Sequence, residues 1–115
     1  MKSDWFPRQS YRTLCASGDS NLVAVPSNMI GHVTDLEIDS HNQSGLTSSI
    51  TVQLVDSYTP TGGSATRAIL KDISVVPGSF LSLDTKEVPE VIGTLIANVN
   101  YANSGPAISV GVIFE

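Results

Sequence analysis

Between Ala68 and Asp84 the chain reads AILKDISVVPGSFLSLD, two short apolar runs held apart by Val76-Pro77-Gly78-Ser79. Proline presets φ and lacks an N–H, while glycine accepts positive φ, so Pro77-Gly78 suits the two central positions of a tight turn. In the flanks the apolar residues step by two, Ile69 and Ile73 around Lys71 and then Leu81 and Leu83 around Ser82. That spacing gives each flank an inside and an outside, as in a half-buried strand. The stretch therefore predicts two strands joined by a hairpin or by a corner that passes from one sheet to another.

The same period recurs along the chain. Leu22 to Val25 is an apolar run closed by Pro26, and Ser27-Asn28 is a turn pair. From Met29 to Asp39, alternation puts Ile30, His32, Thr34, Leu36 and Ile38 on one face and Gly31, Val33, Asp35, Glu37 and Asp39 on the other. Ser40 to Gly45 is turn chemistry, and Leu46 to Val55 alternates again with Ile50, Val52 and Leu54 inward, so these two strands are expected to pair as a hairpin. Residues 56 to 66, with Pro60, Gly62 and Gly63, read as a mobile loop. Leu95, Ala97, Val99 and Tyr101 face inward on the next strand, and Ile108, Val110, Val112 and Phe114 on the last. Removing the last four residues should forfeit several kcal/mol of burial from Val112 and Phe114.

Short strands with regular turn signals and no helical period predict an all-β antiparallel sandwich over 21–115, immunoglobulin-like or jelly-roll-like, preceded by an extended N-terminal arm over 1–20. A chain of 115 residues fits one domain and can bury roughly two-thirds of its unfolded surface. Its single cysteine, Cys15, excludes an internal disulfide and reads as a half-buried thiol. Met1 to Asp19 contains no apolar run of signal-peptide type, and no segment approaches the length of a membrane span, so a protein made in a cytoplasm is expected.

Charge is sparse and uneven. Lys2, Arg8 and Arg12 stand against Asp4 in the first twelve residues, whereas the remainder carries Arg67, Lys71 and Lys86 against the other ten of the eleven acids, for a net charge of −5. So acidic a body argues against nucleic acid as a partner, because phosphate backbones need a dense basic surface. Trp5, Phe6, Arg8, Tyr11 and Arg12 are the candidate interface residues, since aromatics and arginine are enriched at interface centres. The competing expectation is that Trp5-Phe6 folds back over its own core.

Few residues suggest chemistry. Asp35, Glu37, Asp39 and His41 recur at every second position and could offer oxygen ligands to Ca²⁺. A polar outer strand face that discourages edge association explains the same pattern, and a third reading has the stripe accept a neighbour's basic arm. His32, on the expected inner face, reads as a hydrogen-bonded core residue. A nucleophile elbow and a P-loop are both missing from the sequence. No enzyme, cofactor or metal is expected. Tyr58 is the one aromatic placed in a loop, with Phe80, Tyr101 and Phe114 assigned to packing.

The segments VTDLEIDSHNQSGLTSSITVQLVDS, LKDISVVPGSFLSLD and EVIGTLIANVNYANSGPAISVGVIFE resemble a β-sandwich module of virion proteins of tailed bacteriophages. The resemblance covers residues 20 to 115. Leu70, Lys71, Asp72, Val76, Pro77, Gly78, Ser79, Leu81 and Leu83 carry its most specific part. It implies a structural virion role as a capsid decoration or cement protein, or an accessory subunit at the neck, tail or fibre base. It also implies other virion proteins, such as the major capsid protein, as partners, and homo-oligomers such as trimers or rings. A glycan- or host-surface-binding module is the alternative.

Overall fold

The structure is a computed structural model, and it describes residues 7–41, 50–58, 65–88, 90–100 and 106–115. Eight strands run β1 (Arg8–Leu14), β2 (Gly18–Ala24), β3 (Gly31–Asp39), β4 (Ile50–Tyr58), β5 (Ala65–Val75), β6 (Phe80–Leu83), β7 (Thr94–Asn100) and β8 (Ala107–Phe114). They form two four-stranded sheets, ordered β1-β8-β3-β6 and β2-β7-β4-β5. All named pairings are antiparallel. Every connection except the β4–β5 hairpin passes from one sheet to the other, and the first and last strands lie side by side. This interleaving is the wiring of a jelly roll, the second of the two expected sandwich types.

The core lies between the sheets. Leu36, Ile38, Ile108, Val110 and Val112 of the first sheet meet Ile50, Val52, Leu54, Leu95, Ala97 and Val99 of the second, each at most 1% exposed. Strands β4 and β7 bury Ile50, Val52, Leu54, Leu95, Ala97 and Val99, and β8 buries Ile108, Val110 and Val112, as their alternation selects, with Phe114 half-buried; Tyr101 lies outside the described residues. Cys15, also 1% exposed, sits where the chain crosses from β1 to β2, and burial pushes its thiol pKa up. It is thus more deeply buried than the half-buried thiol expected.

The Pro77-Gly78 turn is the corner between sheets, with β5 in the second and β6 in the first. Gly78 has φ 84°, and Ser79 N–H donates to Val76 O at 3.1 Å, so glycine meets the backbone demand of the turn. Ser40, expected in an open turn, is fully buried and latches this corner. Its N–H donates to Ser79 O, its C=O accepts from Gly78 N–H, and its hydroxyl lies 3.0 Å from Val76 O and 2.8 Å from Ser79 O.

Several expectations are corrected. β3 and β4 do not form a hairpin: β3 pairs with β6 and β8, β4 with β5 and β7. β3 and β4 lie in opposite sheets, so their apolar faces meet across the core and not side by side. The alternation of β3 also changes phase at a bulge, where Val33 pairs with Val112 and Asp35 with Gly111, leaving Thr34 over. Leu36 and Ile38 remain inward, but His32 turns outward, and its side chain is 33% exposed. Tyr58 ends β4 and is not a loop residue; β4 and β5 take up part of the expected 56–66 loop, of which residues 59–64 lie outside the described residues. Phe80 is 51% exposed, because the inward positions of β6 belong to Leu81 and Leu83.

Candidate functional site

The expected arm divides. Trp5 and Phe6 lie outside the described residues, whereas Arg8, Tyr11 and Arg12 belong to β1, which pairs with β8 from Arg8↔Ile113 to Leu14↔Ala107. Residues 8–14 are extended as expected but are a strand of the chain's own sandwich, and Gly18–Ser20 already belong to β2. The reason is visible in the strand. Gln9, Tyr11 and Thr13 face the second sheet, where Tyr11 packs on Phe114 with ring centroids 6.5 Å apart. Arg8, Ser10, Arg12 and Leu14 take the outer face.

Both arginines then reach over β8 to β3. Arg8 Nη2 lies 2.7 Å from Asp35 Oδ1, and its Nε donates to the same oxygen at 2.9 Å. Arg12 Nη2 donates to Asp39 Oδ2 at 3.2 Å and Nη1 to Ser109 Oγ at 3.1 Å. The residues of β8 beneath them are small, Ser109 and Gly111. A Cβ at position 111 would sit 2.0 Å from Asp35 Oδ1 and 2.7 Å from Arg8 Nε, so only glycine leaves room for the pair. Asp39 Oδ1 also accepts from the His41 N–H at 3.0 Å and lies 2.6 Å from His41 Nδ1. These bonds hold the Asp39 pKa down at about 2, the His41 backbone bond most of all, then the His41 ring and Arg12.

Two carboxylates of the β3 stripe, Asp35 and Asp39, are thus paired with arginines of the same chain. Among the described residues no group of three or more His, Cys, Asp or Glu is placed to hold a metal ion. At the far end of this face His32 Nε2 lies 2.6 Å from Glu115 Oε2, and Nδ1 lies 3.7 Å from Glu90 Oε1. Beside Asp39, Leu14 is 66% exposed; with Arg12, His41 and Ala107 the two line a recess of about 380 Å³.

The outer face of the second sheet is different. Thr51 pairs with Asn100 and Gln53 with Asn98, and with Ser17, Gly18 and Val99 they line a recess of about 410 Å³. Asn98 Nδ2 donates to Asp19 Oδ1 at 2.7 Å. At one end of this sheet Asp56 occupies an inward position and is fully buried. Its carboxylate accepts from the N–H groups of Ile92 at 3.0 Å and Gly93 at 2.9 Å and from Arg67 Nη2 at 2.9 Å. Arg67 donates also to Glu90 O.

Asp56, Ser40 and Gly111 were not singled out in the sequence. For Asp56 a signal existed, since it continues the buried series Ile50, Val52, Leu54. For Ser40 and Gly111 none did, because their roles come from residues 36 or more positions away. Comparison with family models, with curated proteins and with solved structures gives no match.

Proposed function

We propose that this chain is a non-enzymatic structural protein of a tailed-bacteriophage virion, a capsid decoration or cement subunit that stabilises the particle through surface contacts. The observation that carries the reading is the use of its reactive side chains as braces. Asp35 and Asp39 hold Arg8 and Arg12, Asp56 ties the 90–93 segment to β4, and Cys15 is buried in the core. A jelly roll braced in this way is a stiff body whose work is done by its faces and edges. Jelly rolls recur in viral capsids, an analogy of fold that agrees with the virion resemblance but does not replace a contact. An accessory place at the neck, tail or fibre base is the same function at another position. The test is to purify particles from the encoding genome with and without this gene. Co-purification at fixed stoichiometry, with genome release at lower temperature in its absence, is the expected result; a chain missing from purified particles would overturn the reading.

The recess on the second sheet favours a second reading, a glycan- or host-surface-binding module. Its Thr51, Gln53, Asn98 and Asn100 side chains supply amide and hydroxyl groups that both donate and accept, as sugar hydroxyls require. Glycan-array binding abolished by Asn98→Ala would establish it.

A further inference from the structure

We propose that β1 is the edge through which two copies of this chain pair, antiparallel and about a two-fold axis at Tyr11, extending the β1-β8-β3-β6 sheet across both. The inference goes beyond the assembly reading and is tested in solution, apart from any particle.

The four sheet edges are not equally open. β2 breaks register between Asn21 and Val23, and β5 pairs with β4 through two register breaks and carries the exposed Lys71. β6 is only 4 residues long. Bulges, lysines and shortness are the usual guards against edge pairing. β1 has none of them: its 7 residues keep unbroken register with β8, and no described residue pairs with its other side. Its two arginines keep their charge, but each is held over the sheet face toward an aspartate of β3, so neither side chain covers the backbone of the edge.

The hydrogen-bond phase of the open side follows from one contact. Cys15 N–H donates to Pro106 O at 3.0 Å, continuing the β1–β8 register. Antiparallel pairs alternate between bonded and non-bonded positions, so Gln9, Tyr11 and Thr13 direct their N–H and C=O toward β8. Arg8, Ser10, Arg12 and Leu14 direct theirs to the open edge.

Charge then selects the register. A two-fold axis perpendicular to the sheet preserves faces, so it must pass at a residue. Centred on Ser10, it sets Arg8 directly opposite the partner's Arg12; centred on Arg12, it sets two Arg12 side chains opposite each other. Like charges directly opposed are destabilising. Centred on Tyr11, it sets Arg8 opposite the partner's Leu14 and Ser10 opposite the partner's Arg12, and it pairs all 7 residues of the strand. In this register the outward N–H and C=O groups of Ser10 and Arg12 exchange bonds across the axis.

The experiment is sedimentation equilibrium of the full chain over a range of concentrations, beside Ser10→Pro and Ser10→Arg. Proline at position 10 removes an outward N–H and spares the β8 ladder, as proline does on edge strands. Arginine there keeps every backbone group and opposes the partner's Arg12. The expected result is a monomer–dimer equilibrium whose dissociation constant rises about tenfold or more in each variant, with urea midpoints close to the unchanged chain. If Ser10→Pro unfolds, Ser10→Arg alone decides. A chain monomeric at every concentration overturns the pairing, as does a dimer or larger oligomer indifferent to Ser10→Arg. Either result leaves the assembly reading standing if the chain still co-purifies with particles.

Discussion

On the outer face of the first sheet Arg8 and Arg12 are bonded across β8 to Asp35 and Asp39; on that of the second, Asn21, Thr51, Gln53, Asn98 and Asn100 carry amides and a hydroxyl, with Asp19 bonded to Asn98. The contrast tracks how each sheet holds the edge strand that begins it. β2 brings Leu22 and Val23 into the core, 5% and 4% exposed, so apolar burial docks it. β1 offers the core only Tyr11 among its larger inward residues, and long side chains reaching to β3 supply the second anchor. Charge on the first face is a fastening for a strand with little to bury.

The largest effect that separates the two modes should come from β2. Leu22→Ala should cost about 2–4 kcal/mol in urea unfolding, nearly independent of salt, because it removes buried volume. A salt-dependent loss would deny burial as the docking term. Next comes Gly111→Val, whose added carbons displace the solvent-exposed Arg8–Asp35 pair; a loss of about 1 kcal/mol is expected, and a neutral outcome would show that β1 does not need the pair.

The pairs themselves are half-exposed, Arg8 at 52% and Asp35 at 34%, so a double-mutant cycle of Arg8→Ala and Asp35→Asn should give a coupling of about 0.2–1 kcal/mol that shrinks with salt. A coupling that salt leaves unchanged would contradict a solvent-screened contact. The smallest effect is acid loss at Asp39. Its folded pKa of about 2 lies below the unfolded value near ~3.9, so its contribution is complete above that range and is lost as pH falls toward 2. Urea midpoints should therefore drop more between pH 5 and pH 2.5 in the unchanged chain than in Asp39→Asn; equal drops would remove Asp39 from the acid response.

Much of the sandwich was legible because a strand between two sheets must alternate. β4, β7, β8 and the Pro77-Gly78 corner carry that alternation and its punctuation without interruption. The errors fall where a local pattern meets a distant partner. His32, expected inward, faces out because a bulge at Thr34, set by pairing with β8, changes the phase in mid-strand. β1 read as an arm because both its faces are polar, and its fastening on Asp35 and Asp39 lies 27 residues along the chain. Of the candidate interface, Arg8, Tyr11 and Arg12 fall on one strand, while Trp5 and Phe6 lie outside the described residues. That this strand would have an open side could not be read before the order of the sheets was known.

The most direct test of β1 as a strand of its own sheet is amide hydrogen exchange on dilute protein, residue by residue. Slow exchange at Gln9, Tyr11 and Thr13 beside fast exchange at Ser10, Arg12 and Leu14 is the predicted alternation. Uniformly fast exchange from Arg8 to Leu14 would make the segment a free arm and would contradict the account.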